Sequence, residues 1–279
     1  MFRLGVVDQR AVLVTDHGVV DLALASGDPT LSDPMVAIAR HRELHVLSES
    51  ASTGITPALS SFGICVPRPS KVFAIGLNYR THAAESNLEI PVAPLAFTKF
   101  PSSLNSATGD IELSGDRVDW EVELVVVIGD RCRFVTEEDA WGVVAGLTLG
   151  QDISDRTVQM LGKPPQFSLG KSFDTFAPIG PMVVSVNSFP NPDDVGIGCS
   201  VAGVQQQSTR TADLIFAVPA LIAYLSGICT LEPGDLIFTG TPGGVGQGRN
   251  LFLKVGDVVE STAELIGTMT NTCVVGAAR

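Results

Sequence analysis

Two carboxylates stand two residues apart in the run VDWEVELVVVIG, residues 118–129. Side chains at i and i+2 of a strand share a face, so Glu121 and Glu123 would point together out of an otherwise apolar sheet run. Like charges held that close repel unless something positive lies between them. Taken alone, the pair reads more simply as the acidic face of an edge strand looking at water. Asp152, in GLTLGQDISDR, changes the weighing, because it follows an apolar stretch and precedes a polar turn, where a side chain can reach a cleft. Three carboxylates with no His or Cys nearby suit a hard divalent cation such as Mg²⁺ or Mn²⁺, with water or substrate oxygens completing an octahedral shell. That ligand type disfavours zinc.

His82 lies in GLNYRTHAAESNLEIP with Glu85 three residues on. If AAESN forms a helical turn, imidazole and carboxylate sit side by side, and the acid can orient the histidine as a general base toward water. A lone pair of this kind is otherwise a surface ion pair. Lys171, in LGKSFDTFAPIGP, is a cation between Gly and Ser in an apolar neighbourhood, and its plain reading is a snorkelling lysine. Other chemistries find no support. GTPGGVGQG, residues 240–248, lacks the Gly-Lys-Ser/Thr ending of a P-loop, does not fit GxGxxG, and runs from strand into strand where phosphate loops open a helix. No GxSxG elbow occurs. His41 and His45 form HRELH, not HExxH, and read as two histidines on a solvated helix face.

These groups need a scaffold, and the composition provides for one. The 279 residues are 45% hydrophobic and 17% charged, with 18 Lys+Arg against 30 Asp+Glu for a net charge of −12. The mean hydropathy is +0.30 and the pI about 4.7. Such a chain can bury a large core, and it lacks the basic face that nucleic-acid binding requires. Five well-separated cysteines give no CxxC pair and point to a reducing compartment. The first residues show no basic stretch leading into an apolar run, so a cytoplasmic protein is expected. Leu214 to Leu231 is uncharged over eighteen residues, the lower limit for a membrane span, but Pro219 and Ser226-Gly227 interrupt it, as in a buried core helix.

Residues 1–66 read as a small N-terminal α+β domain: two β-rich runs in LGVVDQRAVLVTDHGVVDL, then an amphipathic helix in PMVAIARHRELHVL. The two prolines of VPRPSK, residues 66–71, mark the boundary. Residues 67–279 follow as a second domain, with strands expected at VFAIG, LAFTKF, WEVELVVVIG, GPMVVSV, DLIFTG and DVVESTAEL and helices at EEDAWGVVAGLTL and DLIFAVPALIAYL. Strands outnumber helices at irregular spacing, so the fold class expected is α+β, not a regular βαβ alternation.

At these residues the chain resembles the fumarylacetoacetate hydrolase family, which includes acylpyruvate hydrolases. Seven blocks stand in family order between about Lys71 and Val275: IGLNYRTHAAE, PLAFTKFPSSL, VDWEVELVVVIGDRCR, GLTLGQDISDRTVQ, GKSFDTFAPIGP, TADLIFAVPALIAYLS and LEPGDLIFTGTPGGVG. The resemblance implies a mixed β-roll, usually a homodimer, holding Mg²⁺ or Mn²⁺ through Glu121, Glu123 and Asp152. It makes His82 and Glu85 the water-activating dyad on a lid segment, Lys171 the lysine near the metal and Thr175 its neighbour. Lys99, Arg156, Gln159 and Thr241 match positions lining the substrate pocket. Where the larger namesake enzyme has a further aspartate ligand, this chain has Asn78, and a VNGE-type hairpin is replaced by SVAGVQQQ, residues 200–207.

The activity so implied is hydrolysis of a C–C bond in a small acylpyruvate-type 1,3-diketo acid. His82 would activate water, and Lys171 with backbone N–H groups near Thr241 would stabilise the oxyanion. Phe100, Met160 and Leu161 are expected near the distal substituent. Relatives that decarboxylate oxaloacetate, isomerise dienoates or dehydrate sugar acids use the same metal-enolate site and are the alternatives. A catalytically silent binding protein ranks last, since nothing would then retain uncompensated acids in a pocket.

Overall fold

The computed structural model describes residues 1–50, 59–85 and 89–276. Its main sheet runs, in spatial order, through strands Gly18–Asp21, Arg10–Thr15, Arg3–Val7, Ala177–Val184, Val144–Gln151, Val122–Ile128, Leu236–Phe238, Val72–Gly76 and Leu95–Thr98. Leu104–Asn105 adds a short parallel pairing to Ala177–Val184. A second sheet orders Val204–Arg210, Gly196–Val201, Val258–Ala263, Gly267–Val275 and Ile111–Leu113. Val118–Asp119 and Ser154–Asp155 form a third, two-stranded piece. With few helices and mostly antiparallel pairing, the architecture is mixed α+β, as expected.

Val122–Ile128 is buried at every position, which is why its sequence is a nearly unbroken apolar run. Its two faces serve two cores. Leu124, Val126 and Ile128 pack with Leu147, Leu221 and Val259, whereas Val125 and Val127 pack with Phe238, Ala74 and, from the N-terminal segment, Leu4 and Leu13. Residues before 66 therefore extend the main sheet, through the pairing of Leu4 with Val183, and share a core with it.

One expected helix is absent. GVVAGLTLG is the strand Val144–Gln151, preceded only by a 3-10 turn at Ala140–Val143. All eight of its residues are buried, so its apolar run carries no period to separate strand from helix. Its glycines decide the matter: a Cβ at Gly146 would overlap Val184 O on the neighbouring strand. The other expected helix is present as Val218–Ile228, and among the described residues no helix is long and apolar enough to cross a membrane. The hairpin that replaces VNGE closes through Ala202 and Gly203, both at positive φ, as a two-residue hairpin turn requires.

Strand directions explain where the chemistry collects. Val72–Gly76 and Leu236–Phe238 run parallel, and Val122–Ile128 runs against Leu236–Phe238 and Val144–Gln151. The segments after Gly76, Phe238 and Gln151 thus leave the sheet beside the residues that enter at Glu121.

Candidate active site

The antiparallel ladder pairs Glu123 with Gly150 and Val122 with Gln151. One step further, Asp152 N donates to Glu121 O at 2.8 Å. Register alone therefore brings the third carboxylate to the first two, and oxygens of Glu121, Glu123 and Asp152 lie within 4.8 Å of one another, all buried.

Around the triad the cations are fully committed. Lys171 Nζ donates to Glu121 Oε2 and Asp152 Oδ2, both at 2.7 Å, and Lys99 Nζ donates to Asp152 Oδ1 at 2.7 Å and to Lys171 O. Arg156 Nη2 bridges Glu121 Oε1 and Asp119 Oδ2, each at 2.6 Å, and its Nη1 donates to Gln159 Oε1 at 2.8 Å. Burial works against ionisation of Glu121, but Lys171 and Arg156 outweigh it and hold the group at about 2. Burial likewise opposes the charge on Lys171, and Asp152 and Glu121 keep its proton affinity above the ordinary lysine value. Glu123 has no such cation: burial, then Asp152 and Glu121, push it well above the usual carboxylate range, with Gly240 N–H, at 2.7 Å, donating to its Oε2. A dry set of hard oxygen donors with one acid lacking its own counter-charge fits a divalent Mg²⁺ or Mn²⁺ ion.

The glycine-rich loop after Phe238 serves carboxylates of the chain itself, not phosphate. Besides Gly240, its Gly244 N donates to Glu85 Oε2 at 2.8 Å, and Gly246 N and Gln247 N donate to the two oxygens of Asp119 at 2.7 and 2.9 Å. Glycine is required at two of these places. Gly240 has φ +104° with Asn78 Cβ 2.7 Å from where a Cβ would stand, and at Gly244, φ +99°, a Cβ would overlap Gln206 O.

His82 and Glu85 sit on the short helix Arg80–Glu85; Ser86 and Asn87 of the expected turn lie outside the described residues. His82 Nδ1 is 3.9 Å from Glu85 Oε2 and has no hydrogen-bond partner. Burial, which outweighs the opposing pull of Glu121, lowers its proton affinity below the ordinary histidine value. Both residues line a cavity of about 610 Å³, together with Glu121, Arg156, Gln159, Lys171 and Thr241.

Several expectations need correction. Lys99 is fully buried behind Asp152 and is not on the cavity lining, and its ammonium supports the triad. Thr241 lines the cavity, but its hydroxyl is occupied, donating to Val122 O at 2.9 Å and accepting from Gln207 Nε2 at 2.8 Å. Asn78 spends its amide on backbone, donating to Thr239 O and Phe216 O at 2.7 and 3.0 Å and accepting from Phe216 N at 2.8 Å; it latches the segment carrying His82. Thr175 is outside the cavity, its hydroxyl accepting from Glu112 N at 2.9 Å. Of the three apolar residues expected near the distal substituent, Met160 lines the cavity, whereas Phe100 and Leu161 do not. His41 is buried, not solvated, with Nδ1 3.2 Å from Ile38 O. Two contributors escaped the sequence reading. Asp119 continues the spacing of Glu121 and Glu123 backwards by two, a usable signal. Gln207, whose Oε1 accepts from Val122 N at 2.9 Å, carried none.

A buried carboxylate triad able to hold a divalent cation thus stands on a mixed sheet, beside a cavity lined by His82, whose Nδ1 has no partner. Residues 71–274 match the family described as fumarylacetoacetate (FAA) hydrolase C-terminal. The chain belongs to the fumarylacetoacetate hydrolase family, as its sequence blocks suggested. It is 43% identical over 269 residues to 2,4-didehydro-3-deoxy-L-rhamnonate hydrolase of Sphingomonas sp. (strain SKA58), covering 95% of this chain and 89% of that one. It is 39% identical over 271 residues to the mitochondrial oxaloacetate tautomerase FAHD2A of Homo sapiens, covering 96% and 83%. The crystal structure of maleylpyruvate hydrolase from Sphingobium sp. SYK-6, in complex with manganese(II) ion and pyruvate, superposes with a TM-score of 0.83 at 28% identity, covering 99% and 100%.

Proposed function

We propose that this protein is a divalent-metal-dependent hydrolase cleaving a C–C bond in acylpyruvate-type 1,3-diketo acids. The observation that carries the reading is the shared cavity wall: a largely buried imidazole with an unpartnered Nδ1, His82, lines the same space as Glu121 of the triad. Mg²⁺ or Mn²⁺ held by Glu121, Glu123 and Asp152 would supply Lewis acidity toward the 2-oxo acid end of a substrate. Desolvation favours the neutral form of His82, the form that can take a proton from water. Approach of Glu85 would give Nδ1–H a carboxylate acceptor and leave Nε2 as the base. Lys171 and Arg156 keep Glu121 ionised and orient it. Thr241 contributes no hydroxyl to an oxyanion, since both of its bonds are spent within the scaffold. The 43% identity to a Sphingomonas hydrolase supports this reading.

A second reading is favoured by the 3.9 Å gap between His82 and Glu85. A histidine not yet oriented by its acid can shuttle a proton on the substrate itself, as an isomerase or tautomerase needs, and one relative is named an oxaloacetate tautomerase. The two separate on products. With Mg²⁺-loaded protein, hydrolysis releases pyruvate from acetylpyruvate and is abolished by EDTA. Loss of the enol form of oxaloacetate without any new pyruvate from acetylpyruvate would replace the hydrolase by the tautomerase.

A further inference from the structure

Beside its charged end the cavity has a second, apolar wall. Leu95 and Phe97 lie two apart on the edge strand Leu95–Thr98 and share a face. The Phe97 ring centre is 5.3 Å from Lys171 Nζ, and Phe167 meets Phe97 edge-on at 5.6 Å. Leu95 and Met160, on the same lining, are 47% and 54% exposed. The wall thus joins an aromatic pair beside Lys171 to large apolar side chains open to water.

Neither permanent cation on the lining is free to pair with a second anion. Among the described residues its cations are Lys171 and Arg156, each already bonded to two carboxylates. The lining also carries Glu85, which would repel an added carboxylate. Residues 86–88, Ser-Asn-Leu, bring no cationic side chain.

From this geometry we infer that the acyl end of the substrate is an uncharged, apolar chain lying along Leu95, Phe97, Met160 and Phe167, and that terminal dicarboxylates are rejected. This names the substrate class of the hydrolase proposed above and rests on that reading for its chemistry. Binding can be read separately from turnover.

The test is calorimetry of the Mg²⁺-loaded protein with 2-oxobutanoate, 2-oxohexanoate, 2-oxooctanoate and 2-oxoadipate, alongside pyruvate release from the matching acylpyruvates. Affinity should rise about fourfold per buried methylene until the wall is covered, and 2-oxoadipate should bind at least about tenfold more weakly than 2-oxohexanoate of equal length. Leu95→Ser and Met160→Ser, both at exposed positions, should flatten the length dependence, weakening 2-oxooctanoate more than 2-oxobutanoate. Flat length dependence, or 2-oxoadipate binding as well as 2-oxohexanoate, would overturn the inference. The expected binding trend without pyruvate release would leave the wall's role standing and remove the hydrolase reading instead.

Discussion

At the scale of single residues the site is a balance of buried charge in which Lys171 and Arg156 are each held by two acids, Lys99 by one, and Glu123 has no cation of its own. His82 stands outside that balance, with a free Nδ1. His82→Ala should therefore lower kcat by about 10²- to 10⁴-fold, the usual worth of a general base, while Mn²⁺ affinity by calorimetry stays unchanged. Its pH dependence has a definite sign. Burial favours the neutral form, Glu121 resists less strongly, and a bound cation would weaken that resistance further. The acidic limb of kcat/KM should accordingly have its midpoint below about 6.5, the ordinary histidine value; a midpoint above it would contradict the assignment. The i, i+2 and i, i+3 spacings marked Glu121–Glu123 and His82–Glu85 as pairs, but it was the family resemblance that joined them with Asp152 into one site. Lys99 was misplaced because sequence proximity to a pocket motif does not say how far back a long side chain reaches. Its ammonium turns inward to Asp152 and the Lys171 carbonyl.

At the scale of elements the glycine-rich loop is the part most often mistaken for something else. Its N–H groups hold Glu123, Glu85 and Asp119 at once, so it fixes carboxylates on three different elements. Gly244→Ala would place a Cβ against Gln206 O at positive φ; a loss of about 1–3 kcal/mol is expected from such strain, measurable by chemical denaturation together with a weaker hold on Glu85. Neither Gln207 nor the partners of Asp119 could be read from the chain, because both depend on which hairpin and which loop the second sheet brings over the first. The Val144–Gln151 strand was misread as a helix for a related reason. A strand buried on both faces loses the alternation that identifies it, and its neighbour Val122–Ile128 was recognisable only through its acids and β-branched residues.

At the scale of the whole molecule the two cores meet at one strand, and N-terminal residues such as Leu4 and Leu13 pack in one cluster with Val125 and Val127. Removing residues 1–66 would bare that face and leave Ala177–Val184 as an edge, so a truncated chain beginning at residue 67 should lose its cooperative melting transition. A cation at the triad would tie together the neighbouring segments that carry Glu121, Glu123 and Asp152. At a hundredfold excess over Kd it stabilises the fold by about 2.7 kcal/mol, so EDTA should lower Tm by roughly 5–10 °C, and no shift would argue against an ion there. The central claim is the chemistry of the cavity, and one measurement meets it most directly: pyruvate formation from acetylpyruvate by the Mg²⁺-loaded protein, followed with and without EDTA and with His82→Ala. Pyruvate released by the native chain, and abolished by either change, is the result expected. Undiminished release in EDTA or from His82→Ala, or no release by the native chain at all, would contradict it.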